Sequence, residues 1–254
     1  MAGALIAGWQ KAGIDLSAAV AIRPSGRQVE GVRTVSSIPD EPPPLRCVLG
    51  FKPQVLAAIA PELAPRLSSE TVLVSMLAGV EAETLRALFP SVQSVVRIMP
   101  NLPVSERRGV TALYSSDAEP GLRERMKGLF GLLGLAVWTE SEAELAAMGA
   151  VAGAGPAYVA RFISALAKAG EGRGLDADLA ARIALETAVG TALMAEARGE
   201  SMDEVARRVA SPKGTTEAGL AVLDANRALD DLIAETIAAA ASRGSQLAEE
   251  ARKP

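Results

Sequence analysis

The chain has 254 residues, 49% of them hydrophobic and 22% charged, with a formal net charge of −4. That length fits one large domain or two ordinary ones, and the lack of a basic block argues against nucleic-acid and membrane-surface partners. The sequence contains no histidine and one cysteine, Cys47. These counts exclude a Ser-His-Asp triad, a Cys-His pair, a His-ligated metal and an intrachain disulfide, so we expect no metal site and a reducing, cytoplasmic location.

The first half of the chain alternates short β-rich runs with helical stretches. Strands are predicted over 18–22, 32–35, 45–51, 71–76, 94–99, 110–114 and 136–139, and helices over 2–12, 53–67, 81–88 and 118–134. The apolar run 45–51 is typical of a strand buried on both faces. The alternation predicts an α/β, Rossmann-like domain over 1–140 with a parallel, doubly wound sheet.

The β signals end near residue 140. Helical periodicity continues over 146–169 (interrupted by a GAGP turn), 177–198, 202–209, 217–223 and 228–248. We therefore expect an all-α domain over 141–254. Its Ala-rich helices are apolar on more faces than an isolated bundle needs, which predicts a homodimer formed through this half. No uninterrupted apolar run approaches bilayer-spanning length, and the first residues lack a basic signal leader, so no membrane segment is expected.

The segment AIRPSGR follows the second strand expected of a Rossmann unit. An NAD enzyme usually places an acid there for the ribose hydroxyl, whereas an NADP enzyme places arginine and hydroxyl groups for the 2′-phosphate. Here there is no acid, and Arg23, Ser25 and Arg27 are available. An ordinary polar turn is the alternative, but after this strand the phosphate interpretation is favoured.

Three loops follow buried strands: FKPQ (51–54), SMLAGV (75–80) and MPNLPV (99–104). In an open α/β sheet the ligand lies over the carboxyl ends of the strands. Small or proline-constrained residues there would let backbone approach a flat nicotinamide ring. For any one loop a plain β-to-α turn is the better interpretation, and Lys52 is as readily a solvated rim charge as a phosphate contact. Three such loops in register favour a ligand site.

The run ASPKGTTEAG (210–219) places Gly214, Thr215 and Thr216 at the start of a helix. Backbone N–H groups at a helix amino terminus, together with threonine hydroxyls, can bind a carboxylate. The alternative is N-capping by Ser211 or Thr215. Residue chemistry alone favours capping.

These segments together resemble a known family. FKPQ, SMLAGV, RIMPNLPVSERRGVTALY, AGAGPAYVARFISALAKAG and VASPKGTTEAGLAVL are similar, in order and spacing, to the motifs of pyrroline-5-carboxylate reductases. The resemblance runs from Ala2 to about Leu247, with SPKGTTEAGL its most specific part. It implies a Rossmann domain, a helical domain that forms a homodimer and can build decamers, and reduction of 1-pyrroline-5-carboxylate to L-proline with NADPH or, alternatively, NADH, as the last step of proline biosynthesis.

The resemblance also assigns individual residues. It implies that the substrate carboxylate is bound by Ser211, Gly214, Thr215 and Thr216, and that either a water or Thr216 delivers the proton. It also implies that the cofactor is bound by Ala2, Gly3, Arg23, Ser25, Lys52, Pro53, Ala78, Gly79, Pro100 and Asn101.

The sequence departs from the family at several positions. Leu102, Ala154 and Lys213 stand where the family usually has Thr, Ser and Gly. Met1 matches the methionine of the family's Gly-x-Gly-Asn-Met turn, and Ala2 takes its third Gly-or-Ala position, so the first strand and two phosphate-facing glycines are missing. We expect strands 18–22 and 45–51 to be left with unpaired edges, and the chain as given to bind NADPH poorly and to be barely active.

Two other functions stay open. One is a reductase like the β-hydroxyacid dehydrogenases, which use a lysine on the first long helix after the sheet, where this chain has Lys168. The other is a catalytically impaired, truncated paralogue that only assembles. The SPKGTT loop favours the pyrroline-5-carboxylate reductase pattern over the first.

Overall fold

The structure, a computed structural model, describes the backbone of residues 1–252 and the side chains of residues 1–246 and 249. The chain divides into two compact units: Met1–Ala154 together with the chain from Ala240 onward, and Gly155–Ala239. The predicted domain boundary between residues 140 and 141 stays a prediction.

The first unit is built of short strands that alternate with helices. Its elements are α1 (Ala2–Lys11), β1 (Val20–Ile22), β2 (Arg33–Val35), β3 (Arg46–Leu49), α2 (Leu56–Leu63), β4 (Val72–Ser75), α3 (Ala82–Leu88), β5 (Ser94–Pro100), β6 (Gly109–Tyr114), α4 (Pro120–Gly131), β7 (Gly134–Trp138) and α5 (Glu142–Met148). Three 3-10 segments, Pro53–Val55, Ala64–Arg66 and Leu102–Glu106, and a π turn, Gly149–Gly153, join them. Every strand and helix predicted for this half has its counterpart.

The strands form two sheets. A five-stranded sheet has the order β3-β4-β5-β6-β7, and β1 pairs with β2 in parallel in a separate two-stranded sheet. All pairs of the larger sheet are parallel except β5 with β6. The prediction of a wholly parallel sheet is wrong at this pair, because the link 101–108 is too short for a parallel crossover, which takes a dozen or more residues.

Strand β3 is an edge strand. Among the described residues it pairs only with β4, and β1 pairs only with β2, so the unpaired edges expected for these two strands are present. The predicted burial on both faces is wrong: Leu45 beside it is 65% exposed and Val48 is 41% exposed, while Leu49 is buried. Because β3 is the outermost strand of the larger sheet, the helices that pack on the sheet cover less of the surface of β3.

Two apolar layers sandwich the larger sheet. On one face, α1 and α4 pack Leu5, Trp9, Met126 and Phe130 against alternate strand residues such as Val72 and Val74. On the other, Leu56 and Ala60 of α2, Leu85 of α3 and Phe89 just after α3 pack against Leu73 and Val95. Helices on both faces of a mainly parallel sheet confirm the predicted Rossmann-like class.

The second unit contains helices only. They are α6 (Gly155–Glu171), α7 (Ala177–Arg198), α8 (Met202–Val209), α9 (Thr215–Asp224) and α10 (Ala228–Arg252), which continues into the first unit's part of the chain. Asp176 caps α7, and Ser201 with Glu204 forms a capping box at α8. Large apolar side chains of α6 and α7 are exposed: Val159, Phe162, Leu166, Leu179, Ile183, Leu185, Val189 and Leu193.

One continuous helical stretch, Glu142–Glu171, is long and apolar enough to cross a membrane, with a mean hydropathy of 1.3 in its most apolar window. The expectation of no membrane segment rested on uninterrupted apolar runs, whereas this stretch reaches its value through alanine and glycine scattered among few charges. A single such helix is weak evidence for a span.

Candidate functional site

The carboxyl ends of β3 and β4 meet the first residue of α1. A Cβ built on Gly50, which follows β3, would lie 2.9 Å from the Cβ of Ala2 and 3.9 Å from the sulfur of Met76, which follows β4. A glycine at position 50 therefore lets the amino end of α1 approach the carboxyl ends of β3 and β4 closely. Gly3, the next residue of α1, is exposed beside them. The first N–H groups of a helix lack partners within it, so this is a place where an anion can be bound.

The loop after β4 supplies two candidate residues without polar side chains. Ala78 is exposed, and Gly79 has φ +78°, a left-handed conformation that favours glycine. The turn is closed by the Val80 N–H, which donates to the Leu77 carbonyl oxygen at 3.4 Å. Any contact made by Ala78 or Gly79 with a ligand would come from backbone and surface shape.

The loop after β5 is held by the side chain of Asn101. Its Nδ2 donates to the carbonyl oxygen of Ala152 at 3.1 Å, and its Oδ1 accepts from the Val110 N–H at 2.8 Å. Asn101 is buried, and Pro100 before it ends β5. The amide of Asn101 is thus engaged with backbone and shapes the loop.

Lys52 and Pro53 follow β3 at the same edge. Pro53 begins a 3-10 segment, and Lys52 is exposed. In the described part of the chain no acidic side chain pairs with the Lys52 ammonium group, so it is available to an anion.

Arg23, Ser25 and Arg27 form the turn after β1. The Arg23 N–H donates to Val35 on β2 at 2.8 Å, and Ser25 Oγ accepts from the Arg27 N–H at 3.4 Å. Gly26 has φ +65°, which turns the chain. Neither guanidinium has an ion-pair or hydrogen-bond partner among the groups that the structure describes. Two unpaired arginines and a hydroxyl at the carboxyl end of a strand are suited to a phosphate group.

The SPKGTT loop lies in the second unit. Gly214 is the N-cap of α9, and no side chain makes a capping hydrogen bond at this helix end. The alternative in which Ser211 or Thr215 caps the helix is therefore wrong. A Cβ on Gly214 would lie 2.6 Å from Ser211 Oγ, so the tight turn leaves the cap position to glycine. In the part of the chain that the structure describes, the N–H groups and hydroxyls of Thr215 and Thr216 have no hydrogen-bond partner.

Lys213 adopts a strained backbone conformation in this loop. Its φ is +60°, and the turn is closed by the Gly214 N–H, which donates to Ser211 O at 2.9 Å. The Lys213 N–H donates to Glu217 Oε2 at 2.5 Å. Left-handed residues are usually glycine, which matches the glycine expected here from the family resemblance.

A partly buried ion pair that was not predicted lies next to the candidate cofactor loops. Arg97, in the middle of β5, pairs with Glu142 at the start of α5. The available signal was an arginine inside the apolar strand sequence VVRIMP, since a buried charge needs a partner. Its partner lies too far along the chain for any local pattern to identify it.

The thiol of Cys47, in β3, is poorly reactive. Burial raises its pKa to about 11. Since the thiolate is the reactive form, this cysteine is protonated at neutral pH and is a poor nucleophile.

Eight candidate residues thus lie at the carboxyl ends of the parallel strands of the larger sheet: Ala2, Gly3, Lys52, Pro53, Ala78, Gly79, Pro100 and Asn101. Arg23 and Ser25 lie at the carboxyl end of β1 in the same unit. Ser211, Gly214, Thr215 and Thr216 gather at the start of α9 in the other unit.

Comparisons with known proteins place the chain in a family. Residues 142–247 match the family model for pyrroline-5-carboxylate reductase dimerisation. The chain is 38% identical over 204 residues to the pyrroline-5-carboxylate reductase of Pseudomonas aeruginosa, covering 80% of this chain and 74% of that one. It is 34% identical to pyrroline-5-carboxylate reductase 2 of Bacillus subtilis, covering 80% of this chain and 72% of the relative.

Solved structures agree. A pyrroline-5-carboxylate reductase from Coxiella burnetii superposes with a TM-score of 0.84 at 27% identity, covering all of this chain and 95% of that one. The Plasmodium falciparum pyrroline carboxylate reductase, solved with NADP bound, shares the fold with a TM-score of 0.81 at 24% identity, over 96% of this chain and 94% of that one. The predicted resemblance is confirmed, and the chain belongs to the pyrroline-5-carboxylate reductase family of oxidoreductases.

Proposed function

We propose that this protein reduces 1-pyrroline-5-carboxylate to L-proline in the cytoplasm, with NADPH as the preferred donor and NADH as the alternative, as the last step of proline biosynthesis. The observation that carries the proposal is the meeting of Ala2, Gly50 and Met76 at one sheet edge, in a chain of this family. Open α/β sheets bind nucleotides at the carboxyl ends of their strands, which is where these three residues meet.

The residues at that edge fit a dinucleotide. The amino end of α1 offers unsatisfied N–H groups for a pyrophosphate, and the unpaired guanidiniums of Arg23 and Arg27 offer charge for a 2′-phosphate. NADP is bound in the Plasmodium falciparum relative. When bound, the reduced nicotinamide supplies a hydride to the carbon of the C=N bond.

The substrate is assigned to the SPKGTT loop. The free N–H groups and hydroxyls of Thr215 and Thr216 match the needs of a carboxylate, and the Lys213 ammonium adds a favourable charge. A protonated cyclic imine is a good hydride acceptor, so the residues must chiefly hold and orient it and exclude water. Such positioning is worth about 7–11 kcal/mol in favourable cases. We assign proton delivery to Thr216 or to a water.

Self-association is assigned to the helical half. The exposed apolar side chains of α6 and α7 lie within residues 142–247, the part that matches a dimerisation family. We propose a homodimer formed by these helices, with further assembly to a decamer. Light scattering at micromolar concentration would show a monomer if this is wrong.

The decisive experiment is a substrate panel. The purified chain is given 1-pyrroline-5-carboxylate or a set of β-hydroxyacids, with NADPH, NADH or their oxidised forms, and nicotinamide absorbance is followed. We expect NADPH consumption with the imine only, and at a low rate. Oxidation of a hydroxyacid with no reaction of the imine would favour the β-hydroxyacid dehydrogenase alternative, in which Lys168 would be essential. No turnover despite a folded dimer would favour the impaired paralogue.

A further inference from the structure

Arg97 carries a buried charge at the centre of the sheet. It lies in β5, in register with Ser75 on β4 and Tyr114 on β6, and its side chain is 8% exposed. The guanidinium has two acceptors: the carboxylate of Glu142 and, at 3.5 Å, the Leu77 carbonyl oxygen. Its Nε is buried and has no hydrogen-bond partner in the described chain.

Glu142 is a bridge between three elements. One carboxylate oxygen pairs with Arg97 of β5, and the other accepts from the Ala82 N–H at 2.9 Å. Ala82 begins α3, and Glu142 is both the first residue of α5 and the first residue of the dimerisation match.

The two attachments of this network flank the loop after β4. Arg97 reaches the loop at Leu77, and Glu142 reaches its far end at Ala82. Between them lie Ala78 and Gly79, which have no polar side chain, and Val80, whose N–H closes the turn onto the Leu77 carbonyl oxygen at 3.4 Å. The bonds made at the two ends of the loop therefore add to this long turn bond in ordering the loop.

We propose that Arg97 and Glu142 are positioning residues that set the cofactor loop 77–81 and tie its conformation to the start of the dimerisation region. The proposal rests on the proposed function for the identity of the ligand, NADPH. A buried ion pair is weak evidence for stability, because apolar replacements of similar volume are often neutral or stabilising. A bridge that holds backbone at both ends of a loop has a positional use that an apolar pair would lack.

A double-variant cycle separates positioning from stability. Arg97→Met leaves the partly buried Glu142 carboxylate without its partner, and Glu142→Met leaves the buried Arg97 guanidinium without its partner, so each should lower the melting temperature. The double variant removes the unpaired charge and should regain most of the loss. It cannot restore the bonds to Leu77 and Ala82, so the Kd for NADPH should stay raised by roughly 5- to 30-fold.

Two measurements decide the outcome. NADPH titration gives the Kd, and amide hydrogen exchange of residues 76–83 without cofactor gives the order of the loop. We expect faster exchange in this segment in the double variant, with the core of β5 unchanged. If the double variant regains stability and also wild-type affinity and exchange, the pair is merely structural and the proposal is overturned.

Arg86→Met is the control variant. It removes another arginine ion pair, with Asp117, that holds the amino-terminal end of β5 rather than the cofactor loop. It should cost stability without changing the NADPH Kd. If the unmutated protein fails to bind NADPH, the proposed function fails, and the exchange measurement alone still supports or overturns the positioning role.

Discussion

A Cβ atom on Gly8 would lie 2.2 Å from the carbonyl oxygen of Val104, so α1 rests directly on the 3-10 segment Leu102–Glu106 that follows β5. Two further bonds tie α1 in place: Trp9 Nε1 donates to Leu129 O at 3.0 Å, and Lys11 pairs with Glu106 at 2.5 Å. The helix whose amino end we assign to the cofactor therefore also supports the loop of Asn101.

Gly8→Ala should destabilise the protein and weaken cofactor binding. The added methyl overpacks against Val104 and Leu133, a cost of about 1–3 kcal/mol that exceeds the gain of roughly 0.5–1 kcal/mol in helix propensity. Thermal melting and NADPH titration measure both effects. Gly128→Ala is the matched control, because Gly128 is an exposed α4 residue with open space around it and should gain stability. A Gly8→Ala protein as stable as wild type would show that α1 can move away from the loop at no cost.

The order of strands and helices was predictable from local patterns. The strands are apolar runs in the sequence, and α7 and α8 were predicted with their observed limits, 177–198 and 202–209, because Ser201 and Gly199 mark their ends. Two expectations failed for different reasons. The antiparallel β6 follows from the short link 101–108, whose length was available in the sequence. The exposure of Val48 follows from the edge position of β3, and no pattern within a run encodes that.

The candidate site divides in the same way. Arg23, Gly79 and Thr216 could be identified because they follow a strand or begin a helix, and backbone geometry at such places is local. Gly8 and Arg97 were missed, because a close approach and a buried pair are visible only once the packing is known. Lys213 lies between these cases: the turn was predictable, but its positive φ was not.

Replacing Arg23 should separate the two cofactors. Arg23→Ala deletes a guanidinium that has no partner in the described part of the protein. The loss should therefore fall on a bound phosphate, about 1.5–3 kcal/mol for NADPH and none for NADH. Kd values for both nucleotides measure the difference. Arg125→Ala, an exposed arginine on α4, is the control and should change neither. Equal losses for NADPH and NADH would refute the 2′-phosphate assignment.

Relieving the strain at Lys213 should stabilise the protein. A left-handed non-glycine residue costs roughly 1–2 kcal/mol, and the greater freedom of glycine in the unfolded chain returns about 0.5–1 kcal/mol of that. Lys213→Gly should therefore raise the melting temperature by a few degrees, about 2–4 °C per kcal/mol. Lys168→Gly, inside α6, should lower it instead, because glycine costs about 1 kcal/mol in a helix. A Lys213→Gly protein that melts below wild type would contradict the strain argument.

The thiol of Cys47 should make stability fall in alkali. Its pKa is raised from 9.0 to about 11 by burial, so between these values the unfolded chain loses a proton that the folded chain keeps. Unfolding is then favoured as pH rises through that window. Urea melts across the window test this, and Cys47→Ala should remove that part of the slope. At about pH 8, native Cys47 should also react with iodoacetamide far more slowly than the unfolded chain does.

The hydroxyl of Thr216 offers the sharpest test of the substrate assignment. Thr216→Val keeps the volume and removes one donor from a half-buried position in the first turn of α9, whose N-cap is Gly214. A lost hydrogen bond to a carboxylate costs about 1.5–3 kcal/mol, so the KM for the imine should rise roughly 10- to 150-fold while the Kd for NADPH stays the same. Thr236→Val, on α10, removes a hydroxyl that bonds only to Leu232 O and should leave both unchanged. A fall in kcat as well would identify Thr216 as the proton donor, and an unchanged kcat would leave that role to water. An unchanged KM would remove the Thr216 hydroxyl from the substrate site.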